Sequence, residues 1–143
     1  MRVTVDASVW LSALSPAERE HRACATLIRT LVERRVPMHQ PGLFIVEVCA
    51  TMARRTHDRA LAIEAGRLAL ESPAMVMHEL DHQLAAAAAE VAATCALRGA
   101  DAVYVATASK AASTLLTLDH EVRERAAARV DVRTVSEWQD VLR

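Results

Sequence analysis

Short apolar, β-branched runs alternate with helix-length segments along this chain, and that alternation constrains the fold most. Val3-Thr4-Val5 stops at Asp6, and Thr114-Leu115-Leu116-Thr117-Leu118 stops at Asp119. Further short runs at 36–40, 75–78 and 130–135 read as strands, the first of them between Pro37 and Pro41. Strands separated by single or paired helices build a parallel sheet covered on both faces, because a parallel crossover needs a helix to return the chain. The expectation is a three-layer α/β/α sandwich with a sheet of four or five strands.

The helical segments carry their own punctuation. Residues 7–11 turn into a helix directly after Asp6. Ser15-Pro16-Ala17-Glu18 has the serine, proline and glutamate of a helix start, so a helix is expected from there toward residue 35. Others are expected at 43–55 and at about 58–70. Asp81 reads as the cap of an alanine-dense helix to residue 97, closed by Gly99, and Asp101 as the cap of the next, to about 112. A helix to 128 follows the fourth strand, and Ser136 begins the last one. At 143 residues the chain is expected to be one domain spanning 1–143. Its 29 alanines among only four aromatic residues describe a helix-rich globular protein.

Composition also excludes function classes. No apolar stretch reaches the roughly 18 residues of a membrane span, so the chain is expected in the cytoplasm with no membrane partner. Cys24, Cys49 and Cys95 lie far apart without a CxxC pair, which argues against disulfides or a thiolate zinc site. A net charge of −1 leaves no global positive field for nucleic acid, so a polyanion would need local patches or a metal. Sixteen of the 17 basic residues are arginines, and the sets Arg54, Arg55, Arg59 and Arg123, Arg125, Arg129 are candidate phosphate contacts or plain solvated helix faces.

The carboxylates are the chemically informative groups. In open parallel sheets, sites form beyond the carboxyl ends of the strands, where Asp6 and Asp119 are expected; each also has the ordinary reading of a helix cap. Glu47 interrupts the apolar stretch 43–49, so it is a surface turn or a half-buried acid with a partner. Asp101 opens another apolar helix. Should the four converge, like charges about 4 Å apart repel by roughly 4 kcal/mol per pair at an effective dielectric near 20, and a compensating cation is needed. An all-oxygen cluster suits Mg²⁺ or Mn²⁺, which assist phosphodiester hydrolysis. Ser8 and Thr117 are placed to orient the carboxylates, or to cap and pack.

Competing motifs are weaker. His78-Glu79-Leu80-Asp81-His82 matches a zinc-protease string, but that chemistry needs both histidines on one helix, and the strand reading ends near His78. No glycine-rich fingerprint follows the first strand, and Asp6-Ala7-Ser8 lacks the second aspartate of aspartyl-phosphate hydrolases.

The ordered set Val-Asp6-Ala-Ser8, Pro41 followed by Glu47 in an apolar helix, Arg-Gly99-Ala-Asp101-Ala and Leu-Leu-Thr117-Leu-Asp119 resembles the PIN-domain nucleases, and most closely the VapC-like toxins of toxin and antitoxin pairs. The resemblance covers nearly the whole chain. It implies a PIN-like fold and a Mg²⁺- or Mn²⁺-dependent endoribonuclease in which Asp6, Glu47, Asp101 and Asp119 are the catalytic, metal-binding acids, supported by Ser8 and Thr117. It further implies an RNA substrate, a small antitoxin protein and a homodimer. The sequence departs from the family at His120-Glu121-Val122, where relatives often carry an aromatic in place of the valine. The alternatives are a catalytically weak PIN-like module that binds RNA or protein, and a metal-dependent phosphatase.

Overall fold

The computed structural model describes residues 1–141, which form five strands and eight helices in the order β1 (Val3–Val5), α1 (Ala7–Leu14), α2 (His21–Glu33), β2 (Met38–Pro41), α3 (Leu43–Thr56), α4 (Arg59–Leu70), β3 (Met75–His78), α5 (His82–Cys95), α6 (Gly99–Ala111), β4 (Thr114–Leu116), α7 (His120–Ala126), β5 (Val132–Arg133) and α8 (Val135–Val141). All strand pairs are parallel, in the order β3-β2-β1-β4-β5. The chain therefore moves outward from β1 to β3, crosses back through α5 and α6, and continues outward through β4 to β5. Because parallel crossovers are right-handed, this reversal puts α1–α4 on one face and α5–α6 on the other, which gives the expected α/β/α sandwich. Val3, Val5, Leu115 and Leu116 at its centre are fully buried, as their continuous apolar runs require.

Packing explains the helix pairs. Gly66 brings α4 against α3 so closely that a Cβ there would overlap the Cys49 sulfur. Trp10 of α1 meets Phe44 of α3 edge to face, ring centres 5.6 Å apart. Gln139 of α8 donates to the Ala23 carbonyl at 3.1 Å and ties the chain end to α2.

Several boundaries differ from the sequence expectations. The helix expected from Ser15 starts at His21, because Ser15 closes α1 and Glu18, the would-be box glutamate, is engaged by Arg55 of α3. The second strand begins at Met38, since the Val36 N–H is still bonded to Leu31 O in closing α2. Gly99 does not close α5. Ala96 does, at φ 52°, with the Leu97 N–H bonded back to Ala92 O, and Gly99 instead opens α6. The fourth strand ends at Leu116, so Asp119 stands three residues beyond it. Thr134, with Glu137, forms the capping box of α8 in place of the expected Ser136.

Candidate active site

The strand order reverses between β1 and β4, whose neighbours β2 and β5 lie on opposite sides. Their carboxyl ends therefore open a crevice that no crossover covers. Asp6 follows β1 directly and its amide joins the ladder at Leu116 O, 2.9 Å. Asp6 is only 9% exposed and its carboxylate is held by hydroxyls: Thr117 donates to Oδ2 at 2.6 Å and Ser8 to the same oxygen at 2.9 Å. The Ser8 amide reaches Oδ1 at 3.4 Å, so Asp6 is both the N-cap of α1 and the floor of the crevice. The cap reading and the site reading describe one side chain. Thr117 also accepts the Asp119 amide at 3.0 Å, which links the two aspartates through one buried hydroxyl.

Asp119 caps α7, its Oδ1 accepting the amides of Glu121 at 2.8 Å and Val122 at 3.2 Å. Val122 itself is buried. Asp101 is not a cap: Arg98 holds that position, and Asp101 lies in the first turn of α6, where the helix dipole favours an anion and the carboxylate is free to face the crevice. Burial pushes its pKa up, Arg98 opposes that, and the charges of Asp6 and Asp119 add to the rise.

Glu47 reaches the same space from the middle of α3. Burial raises its pKa, Tyr104 of α6 acts against the rise, and Asp6 and Asp101 reinforce it. Its Oε1 and the Tyr104 hydroxyl are both buried without a hydrogen-bond partner in good geometry. Tyr104 is 2% exposed and burial, then Glu47, drives its pKa far upward, so it remains a neutral phenol.

The fold thus brings Asp6, Glu47 and Asp101 into electrostatic reach of one another and Asp119 into reach of Asp101, with Ser8 and Thr117 beneath. Two site residues went unweighed in the sequence. Arg98 donates from Nε to Asp101 Oδ2 at 3.0 Å and from Nη2 to Asp119 Oδ2 at 3.2 Å; its spacing of three from Asp101 on a helix was the available signal. Tyr104, also three residues from Asp101, read only as part of an apolar helix.

Whether a hard cation suits these residues is decided by their chemistry. The donor set is all carboxylate, burial reinforced by the neighbouring acids raises the proton affinity of two members, and Glu47 Oε1 is an orphaned acceptor. On those grounds the residues fit Mg²⁺ or Mn²⁺. Among the described residues no three His, Cys, Asp or Glu side chains are gathered tightly enough to enclose one ion, which agrees with Arg98 standing between Asp101 and Asp119.

The sequence profile of the PIN domain matches residues 3–128. The chain belongs to the PIN domain family. Solved structures agree on the fold of this PIN domain. The sarcin-ricin loop cleaving toxin VapC20 of Mycobacterium tuberculosis superposes with a TM-score of 0.72 at 20% identity, covering 92% of this chain and 98% of that one. VapBC2 of Rickettsia felis, bound to a DNA fragment from its promoter, gives 0.72 at 9% identity over 94% and 98%. FitAcB of Neisseria gonorrhoeae gives 0.71 at 19% over 94% and 98%. No curated protein sequence matches at a significant level. PIN-domain nucleases generally use divalent metal ions.

The rival motif takes a different form. His78 ends β3 and His82 opens α5, so the two do not share a helix; His78 Nε2 instead lies 2.8 Å from His39 Nδ1 on the neighbouring strand. Burial lowers the pKa of both rings, helped by the partner ring and Arg2 at His39 and by Lys110 at His78. Of the arginine sets, Arg55, Arg123, Arg125 and Arg129 are paired with Glu18, Glu137, Glu121 and Glu90. No helix among the described residues is long and apolar enough to cross a membrane.

Proposed function

We propose that this PIN domain is a Mg²⁺- or Mn²⁺-dependent endoribonuclease and the toxin of a toxin and antitoxin pair. The observation that carries the reading is the convergence of Asp6, Glu47, Asp101 and Asp119, from four different elements, on the crevice where strand order reverses. When bound, the ion supplies Lewis acidity toward a phosphoryl oxygen and a more acidic water. The chain's own residues do the rest. Asp6 and Asp101 would hold the ion, with Asp119 and Glu47 as the further acids of the cluster. Ser8 and Thr117 fix the Asp6 carboxylate so that it does not turn away when repulsion from its neighbours rises. Tyr104 walls the inner side as a neutral group and adds no charge to an already anionic site.

An antitoxin is the proposed partner, in keeping with the VapBC and FitAcB structures among the fold's relatives. Its apolar segment is assigned to the outer surface of α3 and α4, where exposed Val46 and Ile63 flank a groove also lined by Ile45, Cys49 and Ala53. A homodimer belongs to the same proposal, and sedimentation of the isolated chain measures it.

The decisive experiment is cleavage of RNA by the purified chain with and without divalent metal. Cleavage that vanishes with chelator, returns with Mg²⁺ or Mn²⁺ and is lost in Asp101→Asn is the expected result. Hydrolysis of small phosphate esters with RNA left intact would identify a phosphatase, and RNA binding without cleavage a binding module.

A further inference from the structure

Asp119 has one carboxylate oxygen committed to the backbone amides of Glu121 and Val122, so Oδ2 is the oxygen it can offer a ligand. Arg98 takes that oxygen through Nη2 and takes Asp101 Oδ2 through Nε. One guanidinium therefore joins an acid of α6 to an acid of α7, as a single cation placed between two carboxylates. Asp6 needs no such partner, because Ser8 and Thr117 satisfy it. The Arg98 side chain is 75% exposed, so nothing packs it in place and it leaves at little cost.

We infer that Arg98 is a resident counter-cation that competes with the divalent metal for Asp101 and Asp119, so that metal binding requires this side chain to swing out. The inference rests on the metal-binding reading of the site and adds how that site is regulated. Without metal, Arg98 neutralises part of the carboxylate cluster and keeps the crevice from repelling itself open. With metal, Asp101 and Asp119 would exchange Arg98 for the ion. Metal affinity is held down by the exchange, so occupancy follows the free concentration of the ion and the site does not remain filled at trace levels. Arg98 is thus a positioning residue for the acids and not a catalytic one.

The test is titration of the metal-free full chain with Mn²⁺, reading free ion by electron paramagnetic resonance in the absence of RNA. Arg98→Gln should tighten Mn²⁺ binding by roughly threefold to tenfold, the range expected for removing two exposed ion pairs from the competing state. Arg98→Lys keeps the charge but loses the fork that reaches both carboxylates, and should fall between the two. Arg125→Gln removes a positive charge that contacts Glu121 and the Ala96 carbonyl near the same rim, and should change affinity less than twofold. Equal or weaker binding by Arg98→Gln would overturn the assignment, as would an equal gain in Arg125→Gln, since the effect would then be a general field. Absence of Mn²⁺ binding in the wild type and in every variant would overturn the metal reading itself and this inference with it.

Discussion

The two ends of the central sheet differ in what they leave unmatched. At the amino ends of the strands lies a cleft of about 500 Å³, bordered by Arg2, Ser113, Thr114, Arg129, Asp131 and Trp138. Its charges are matched locally: Asp131 takes Arg133 at 3.0 Å and Thr114 at 2.8 Å, Arg2 donates to the Ala111 carbonyl, and Arg129 pairs with Glu90. At the carboxyl ends the space beside Asp6, Asp101 and Tyr104 is too small to admit a water molecule, yet Glu47 and Asp119 stand close to those acids and Arg98 bridges Asp101 to Asp119. Empty volume does not mark the chemistry of this fold. Uncompensated charge where the strand order reverses does, because that charge is what a cation and a phosphodiester respond to.

The largest expected difference between the ends is catalytic. Asp101→Asn or Asp6→Asn should lower metal-dependent RNA cleavage by about 100-fold or more, the scale of losing a principal electrostatic contact to the reaction, while Asp131→Asn stays within about twofold of the wild type. Comparable losses at both ends, in a cleavage time course, would break the contrast. Metal binding gives the next largest effect. At 100 times its dissociation constant an ion stabilises the folded state by about 2.7 kcal/mol, so Mg²⁺ or Mn²⁺ should raise the melting temperature by roughly 5–10 °C. Scanning calorimetry should show the rise in Asp131→Asn and not in Asp101→Asn.

Two hydroxyl-to-carboxylate bonds sharpen the comparison further. Thr117→Val strips a buried donor from Asp6 and should cost about 1–3 kcal/mol in urea unfolding. Thr114→Val removes the similar but exposed bond to Asp131 and should cost about 0.5 kcal/mol or less. The smallest effect is a pH dependence. Burial raises the Glu47 pKa in the folded protein, so the stability tied to its proton is complete below the ordinary carboxylate range and is lost as pH rises through the elevated value. Without metal, the melting temperature of Glu47→Gln should therefore gain on the wild type as pH climbs from about 4.5 toward 7. A difference that shrinks over that range would show that Glu47 is better stabilised folded than unfolded.

Much of the fold was legible because its signals are local. Val3-Thr4-Val5 and Leu115-Leu116 announce buried strands by their own chemistry, and Asp81 announces a helix start that its carboxylate does cap, accepting the Leu84 amide at 2.8 Å. Where local signals misled, a distant residue had intervened. Ser15 and Glu18 carry the pattern of a capping box, yet Arg55, 37 residues from Glu18, claims that glutamate. Gly99 looks like a helix stop, yet α5 has already turned at Ala96 to bury Leu97, and the glycine opens α6. Arg98 was visible only as one letter of a motif, because its bond to Asp119 joins residues 21 positions apart.

By itself the sequence determined that strands alternate with helices, that acids stand just beyond the first and fourth strands, and that Glu47 interrupts an apolar helix. These follow from which neighbouring residues can be buried together, a property of a few turns of chain. Only the tertiary structure decided the order β3-β2-β1-β4-β5, which opens the crevice between β1 and β4. It also decided that Asp6 is locked by Thr117 from 111 residues away, that Glu47 faces Tyr104, and that Arg98 spans Asp101 and Asp119. Those outcomes depend on which strands become neighbours. Crossover handedness and the burial of both sheet faces set that, and no single stretch of chain encodes either.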